Sequence, residues 1–176
     1  MINSNELLYV VDEFDSQLEP KPRHEVFKNG LWRRTVHVWI VNNKKQILCQ
    51  KRSQKKDMSP GKWEPVVAGH LGPDDNYFTG AVREVYEETG LQIKPNDLEL
   101  IKIYKDHEFR EYRGIFYCKL NPKIHEIKTE EDEVEKVKFV NSKTLKKYLV
   151  YQKSESWIRT GYEKEIFSIS HFGHVN

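Results

Sequence analysis

Only two cysteines, Cys49 and Cys118, occur in the 176 residues. Each lies in an apolar, strand-like context, and they do not form a spaced metal-binding or redox motif. A reducing compartment, the cytoplasm, is therefore expected. No apolar run approaches the length of a membrane span, so no membrane partner is expected. The opening "MINSNELLYVVDEFD" lacks a basic segment followed by a long apolar one, and no signal peptide is indicated. Neither sign of charge dominates. Lys and Arg number 29 against 27 Asp and Glu, and the formal net charge of +2 is too small to point to a nucleic-acid polymer. Internal repeats and low-complexity segments are missing as well.

What is present reads as one globular domain. Hydrophobic residues make up 38% and aromatic ones 12%, enough for a single packed core at this length, while 32% charged residues keep it soluble. The expected layout is one domain over residues 1–176. Its core covers about 34–140, with an N-terminal strand within 6–28 and C-terminal helices within 142–170 added to it.

"LLYVVDEF" has the content of a first strand, and "EPKPRHEVFKNG" reads as an irregular, Pro-containing return. Residues 34–41 and 46–52, either side of "NNKK", read as a hairpin, and "SQKKDMSPGKW" as a loop through Pro60 and Gly61. A short apolar strand, "EPVVAGHLG", follows. From about Tyr77 to Thr89 the period becomes helical: Phe78, Val82, Val85, Tyr86 and Thr89 recur at three- and four-residue spacing. Asp74, Asp75 or Asn76 suits the N-cap, and Gly90 suits the left-handed stop. Two further strands, "LELIKIYKDHEF" and "YRGIFYCKL", precede an alternating one at 134–140. "SKTLKKYLVYQ" and "SESWIRTGYEKEIFSI" read as closing helices, the second weakened by Gly161. A mixed sheet with one central helix and late helices predicts an α+β fold, or a layered α/β/α sandwich.

The central helix is where the sequence concentrates acid. Glu84, Glu87 and Glu88 share one side of it at 100° per residue, apart from the apolar side. Two carboxylates ~5 Å apart repel by roughly 3 kcal/mol at an effective dielectric near 20. A divalent cation removes that cost, and carboxylate oxygens suit Mg²⁺ or Mn²⁺. Arg83, four residues before Glu87, is placed to hold that side chain. A solvated acidic face is the plainer account of a lone Glu-Glu pair. It explains neither Arg83, nor the glycine stop, nor the glycine-containing strand and loop just upstream.

"REVYEETGL", residues 83–91, resembles the core of the Nudix box: Arg-Glu, an aliphatic, any residue, Glu-Glu, any residue, Gly, an aliphatic. The glycine that the box places fourteen residues before its arginine is Gly69. The glutamate it places eight before is here Asp75, one methylene shorter, which bears on a loop-bracing contact more than on the metal ligands. The resemblance implies a Nudix fold, with the box as a loop-helix-loop, and metal-dependent hydrolysis of a diphosphate joined to another moiety, often a nucleoside. By position it implies Glu84, Glu87 and Glu88 as ligands of Mg²⁺ or Mn²⁺, with the backbone carbonyl of Ala68 or Gly69 as a further one. Glu84 is the first choice of base, Glu108 and Glu111 are the choices outside the box, and Arg83 and Glu88 complete the catalytic set. The expected partner is a small-molecule diphosphate. The N-terminal strand and the C-terminal helices are the elements available to a homodimer.

Residues 34–118 also resemble the branch that contains isopentenyl diphosphate isomerases, through "PGKW" and the Gly69-His70 pair. Isomerases of that type carry a catalytic cysteine directly before the Gly-His pair. Here that position is Ala68, which cannot move a proton. Hydrolysis is therefore preferred over isomerisation. It is also preferred over a non-catalytic binding module, in which nothing would maintain three clustered carboxylates. His37 reads as a strand histidine between Val36 and Val38. His70 is open between orienting its loop and meeting a second metal or a substrate phosphate. Lys51, Arg52, Lys55 and Lys56 read as a solvated basic loop, Trp39 and Trp63 as core, and Trp32 and Tyr112 as available to a ligand.

Overall fold

The computed structural model describes residues 5–56, 58–169 and 172. Its elements are β1 (Leu7–Leu8), β2 (Val10–Val11), β3 (Lys21–Pro22), α1 (Arg23–Asn29), β4 (Trp32–Val41), β5 (Gln46–Arg52), β6 (Trp63–Glu64), β7 (Val67–His70) and α2 (Tyr77–Thr89). These are followed by β8 (Leu98–Asp106), β9 (Glu111–Lys119), β10 (Val134–Asn141), α3 (Ser142–Lys146) and α4 (Glu163–Ile166). The larger sheet has the order β10-β5-β4-β9-β8, with β2 and β7 also on β4 and β6 on β5; β1 and β3 form a separate pair. The class is α+β, as the sequence predicts.

The chain forms two compact units of interleaved segments, the first from residues 1–38, 68–86 and 92–117, the second from 39–67, 87–91 and 118–176. In the first, β2 pairs antiparallel with β4, Val10 opposite Arg33. Leu8, Val10 and Val26 pack together with Leu31, and Phe78 meets Phe116 edge to face at 5.1 Å. In the second, β5 pairs antiparallel with β10 and, across the Asn42–Lys45 turn, with the end of β4 at Val41 opposite Ile47. Its core is built on Trp39, fully buried, with Tyr162, Phe167 and Phe172 edge-on at 6.4, 6.0 and 5.6 Å.

Three expectations are corrected. The first strand is two short ones, interrupted at Tyr9. The supposed irregular return contains α1, which Gly30 ends at φ 57° while its N–H donates to Val26 and Phe27 carbonyls. The second closing helix shrinks to α4. The segment before it runs extended, because Trp63 N–H donates to Ser156 O at 2.9 Å and Ile158 N–H to Trp63 O at 2.8 Å. Those bonds add the segment to β6 in parallel, stacking Trp157 on Trp63 at 5.9 Å. Backbone groups committed to a strand cannot also close helical turns. Ser170, the last residue of the expected helical region, lies outside the described residues.

Helix α2 has the predicted bounds. Asn76 caps it, its Oδ1 accepting from Phe78 N–H at 2.9 Å and Thr79 N–H at 3.0 Å. Gly90 leaves it at φ 67°. Lys128 N–H then donates to Thr89 O at 2.9 Å, and Lys128 Cβ and carbonyl would crowd a side chain at Gly90. Replacing Asn76 by Ala should cost about 1 kcal/mol of stability, read from urea unfolding midpoints at unchanged m-value.

Candidate active site

The first unit holds the start of the acidic helix against strand β7. Glu84 is buried, 8% exposed, contrary to the expectation that all three carboxylates face away from the core. Its carboxylate lies so close over Gly69 that a methyl at that position would overlap it. Glycine at 69 therefore answers to close approach and not to backbone conformation. Arg83 reaches back along the loop. It donates from Nη1 to Glu84 Oε1 at 2.8 Å, and from Nη2 to Asp75 Oδ2 at 2.8 Å and to His70 O at 2.9 Å. Asp75 Oδ2 also accepts from Gly72 N–H at 2.9 Å. The shorter acid thus makes the loop-bracing contact that its substitution for glutamate had put in question.

The second unit holds the end of the same helix. Glu88 Oε2 accepts from Gln50 Nε2 at 2.6 Å, and the same amide donates to Val66 O at 3.2 Å. Gln50, on β5, was missed in the sequence. An inward-pointing amide on a buried strand is the one signal there that could have found it. Glu87 is exposed. The basic loop is ion-paired: Arg52 with Glu64, Lys51 with Glu135, Lys55 with Asp132 and Lys56 with Glu133.

Outside the helix, the first unit buries Glu111 among arginines. Arg33 Nη2 donates to its Oε1 at 2.7 Å and Arg113 Nε to its Oε2 at 2.8 Å, while Arg113 also pairs with Asp106 at 2.9 Å. This is a compensated buried charge and not a strand-end carboxylate in solvent. Glu108 is exposed, its backbone N–H donating to Asp106 Oδ1. His70 has a guanidinium at each ring nitrogen, Arg23 Nη1 at 3.1 Å from Nδ1 and Arg33 Nε at 3.1 Å from Nε2. A metal ion at this imidazole would have to share it with two cations. Trp32 and Tyr112 engage each other at 5.4 Å, with Lys105 over both rings.

Glu84, Glu87 and Glu88 offer hard oxygens of the type Mg²⁺ and Mn²⁺ prefer, and the glycine cradle admits one of those carboxylates to the backbone of β7. Among the described residues no three His, Cys, Asp or Glu side chains converge as a preformed cage. Glu84 and Glu88 are instead held by Arg83 and Gln50.

A family model, the NUDIX domain, matches residues 31–160. The chain belongs to the Nudix family. Nudix hydrolase 3 of Arabidopsis thaliana is 33% identical over 143 residues, which are 73% of this chain and 18% of that one. An uncharacterized Nudix hydrolase of Clostridium acetobutylicum is 34% identical over 139 residues, 73% of this chain and 66% of that one. The chain thus spans less than two thirds of the length of both. An isopentenyl-diphosphate Delta-isomerase of Pectobacterium atrosepticum is 32% identical over 83 residues, 47% of this chain and 46% of that one. A crystal structure from Deinococcus radiodurans shares the fold, with a TM-score of 0.70 at 18% identity over 92% of this chain and 96% of that one. No helix of the described residues is long and apolar enough to cross a membrane.

Gly69→Ala should lower stability by about 1–3 kcal/mol in denaturant unfolding, since the carboxylate of Glu84 must leave its seat. Burial, reinforced by the charge of Arg113, pushes the His37 imidazole well below its ordinary 6.5. The unfolded chain then takes up a proton that the folded chain refuses, so stability falls as pH drops below about 6.5. His37→Gln should recover up to about 2 kcal/mol of the stability lost between about pH 6.5 and 5, read from unfolding curves at the two pH values.

Proposed function

We propose that this Nudix protein is a metal-dependent pyrophosphohydrolase, cleaving a diphosphate joined to another moiety, most naturally a nucleoside. The observation that carries the reading is the Glu84 carboxylate seated over Gly69 and gripped by Arg83, at the head of a helix that also bears Glu87 and Glu88. A cluster of acids is costly unless something uses it, and here the chain spends a glycine and an arginine on placing one of them.

In this reading Glu84, Glu87 and Glu88 are the ligands of Mg²⁺ or Mn²⁺, with the carbonyl of Ala68 as a further oxygen donor. A bound divalent ion would supply charge neutralisation at the phosphate oxygens and a more acidic water. Arg83 orients Glu84 through the 2.8 Å bond and ties the helix to the carbonyl of His70. Glu84 is the preferred base. Glu111 serves better as an anchor than as a base, because each of its oxygens already accepts from a guanidinium. A small-molecule substrate and a cytoplasmic setting accord with the composition.

Isomerisation is the second reading, supported by the partial likeness to an isomerase. Ala68 speaks against it, for a methyl group carries no transferable proton. The panel that separates the two contains nucleoside diphosphate sugars, dinucleotides, oxidised nucleotides and isopentenyl diphosphate, each with Mg²⁺. Product release from at least one diphosphate, and no double-bond shift, is expected. Glu88→Gln should lower that turnover by more than about a hundredfold with an unchanged circular dichroism spectrum. Full turnover in this variant would remove the mechanism.

A further inference from the structure

Within the second unit, the amide of Gln50 links strand β5 to the acid near the end of α2. Gln50 is buried, 4% exposed. Its Nε2 carries two hydrogens and meets two oxygens, Glu88 Oε2 at 2.6 Å and Val66 O at 3.2 Å. Turned over, the amide would set its own oxygen against a carbonyl and a carboxylate, so its orientation is fixed. Glu64 stands opposite Gln50 in the pairing of β5 with β6 and shares a side-chain hydrogen bond with it. Arg52 in turn holds Glu64, Nη1 to Oε2 at 3.1 Å, while its Nε donates to Met58 O at 3.0 Å. A continuous polar chain thus runs from the loop after β5, through Arg52, Glu64 and Gln50, to Glu88.

A strand position this enclosed is filled without penalty by leucine or methionine, whereas an amide there has to be desolvated and satisfied. Packing therefore does not account for glutamine at position 50; its bond to Glu88 does. The chemistry of that bond differs from the one Arg83 makes to Glu84. A guanidinium orients a carboxylate and offsets its charge at the same time. An amide orients it and brings no charge of its own. The torsions of a glutamate on a helix must otherwise be ordered when a cation arrives, at a cost in side-chain entropy. A buried donor at 2.6 Å orders them in advance.

We propose that Gln50 is a positioning residue for Glu88, fixing its carboxylate for a divalent cation without adding a competing positive charge, with Glu64 and Arg52 holding the amide in place. The role of Glu88 as a metal ligand rests on the hydrolase reading above; the grip of Gln50 on it does not.

The test is Mn²⁺ titration of the full chain, followed by the paramagnetic resonance signal of the free ion. Gln50→Met keeps the approximate volume and removes the donor. It should weaken Mn²⁺ binding about tenfold. In a Glu88→Gln background the same substitution should change affinity by less than about twofold, because its effect runs through Glu88. Gln50→Lys restores a donor but adds a positive charge, and should bind Mn²⁺ at least as weakly as Gln50→Met. A merely structural glutamine would lower the unfolding midpoint when replaced and leave these affinities alone. A second readout needs no substitution at position 50. Mg²⁺ should shift the side-chain amide signals of Gln50 in ¹H–¹⁵N spectra of wild type, and leave them in place in Glu88→Gln. Wild-type affinity in Gln50→Met or Gln50→Lys, an equal loss in both backgrounds, no Mn²⁺ binding by wild type, or unmoved Gln50 signals overturns the proposal. Hydrolysis is followed apart from binding. Turnover that Gln50→Met leaves unchanged at limiting Mg²⁺ removes the positioning role and leaves the reaction standing. Mn²⁺ binding that needs both Gln50 and Glu88, in a chain that cleaves no diphosphate, does the reverse.

Discussion

The guanidinium of Arg83 is the interaction on which the placement of the acidic helix depends. One side chain bonds the loop through Asp75, the strand through the carbonyl of His70, and the helix through Glu84. A planar, permanently charged group with five donors can do this; a lysine at the same place would offer a point charge without the fork. The bond to Glu84 also offsets the desolvation of a carboxylate that is 8% exposed. Remove the guanidinium and a buried negative charge is left beside the acids that follow it along the helix.

Much of this was legible beforehand. Helix α2 was readable as a whole, its cap open among three residues, because apolar period and glycine stop agree. Arg83 and the three glutamates stood out by their spacing on the helix, and Gly69 by the resemblance to the Nudix box. The bonds of Arg83 to Asp75 and to the His70 carbonyl were not legible, since they depend on how the loop ahead of the helix folds back into reach. The burial of Glu111 was hidden for a similar reason. Its partners Arg33 and Arg113 lie on strands whose pairing is a tertiary fact, and nothing local marks a charged residue as enclosed. Helix α1 was missed because two prolines precede it and its seven residues carry little periodicity. The overlong final helix reflects good helix formers overruled by a strand addition at Trp63.

Arginine is the recurring solution in the first unit. Arg33 and Arg113 neutralise one glutamate, Arg34 pairs with Asp15 at 2.7 Å while lying over Tyr9, and Arg83 ties the helix. The second unit relies instead on aromatic stacking, with Trp157 between Tyr148 and Trp63 and Lys138 lying 3.7 Å from the centre of the Trp63 ring.

The ion pairs of the loop after β5 bear on how an anion would be met. Each of Lys51, Arg52, Lys55 and Lys56 is matched by an acid. From a distance such a segment is close to neutral, an array of dipoles whose field fades faster than that of a free charge. A phosphate compound diffusing toward the loop is therefore guided little by it, and added salt has little attraction there to screen. Capture at that surface is left to short-range contact and not to electrostatic steering.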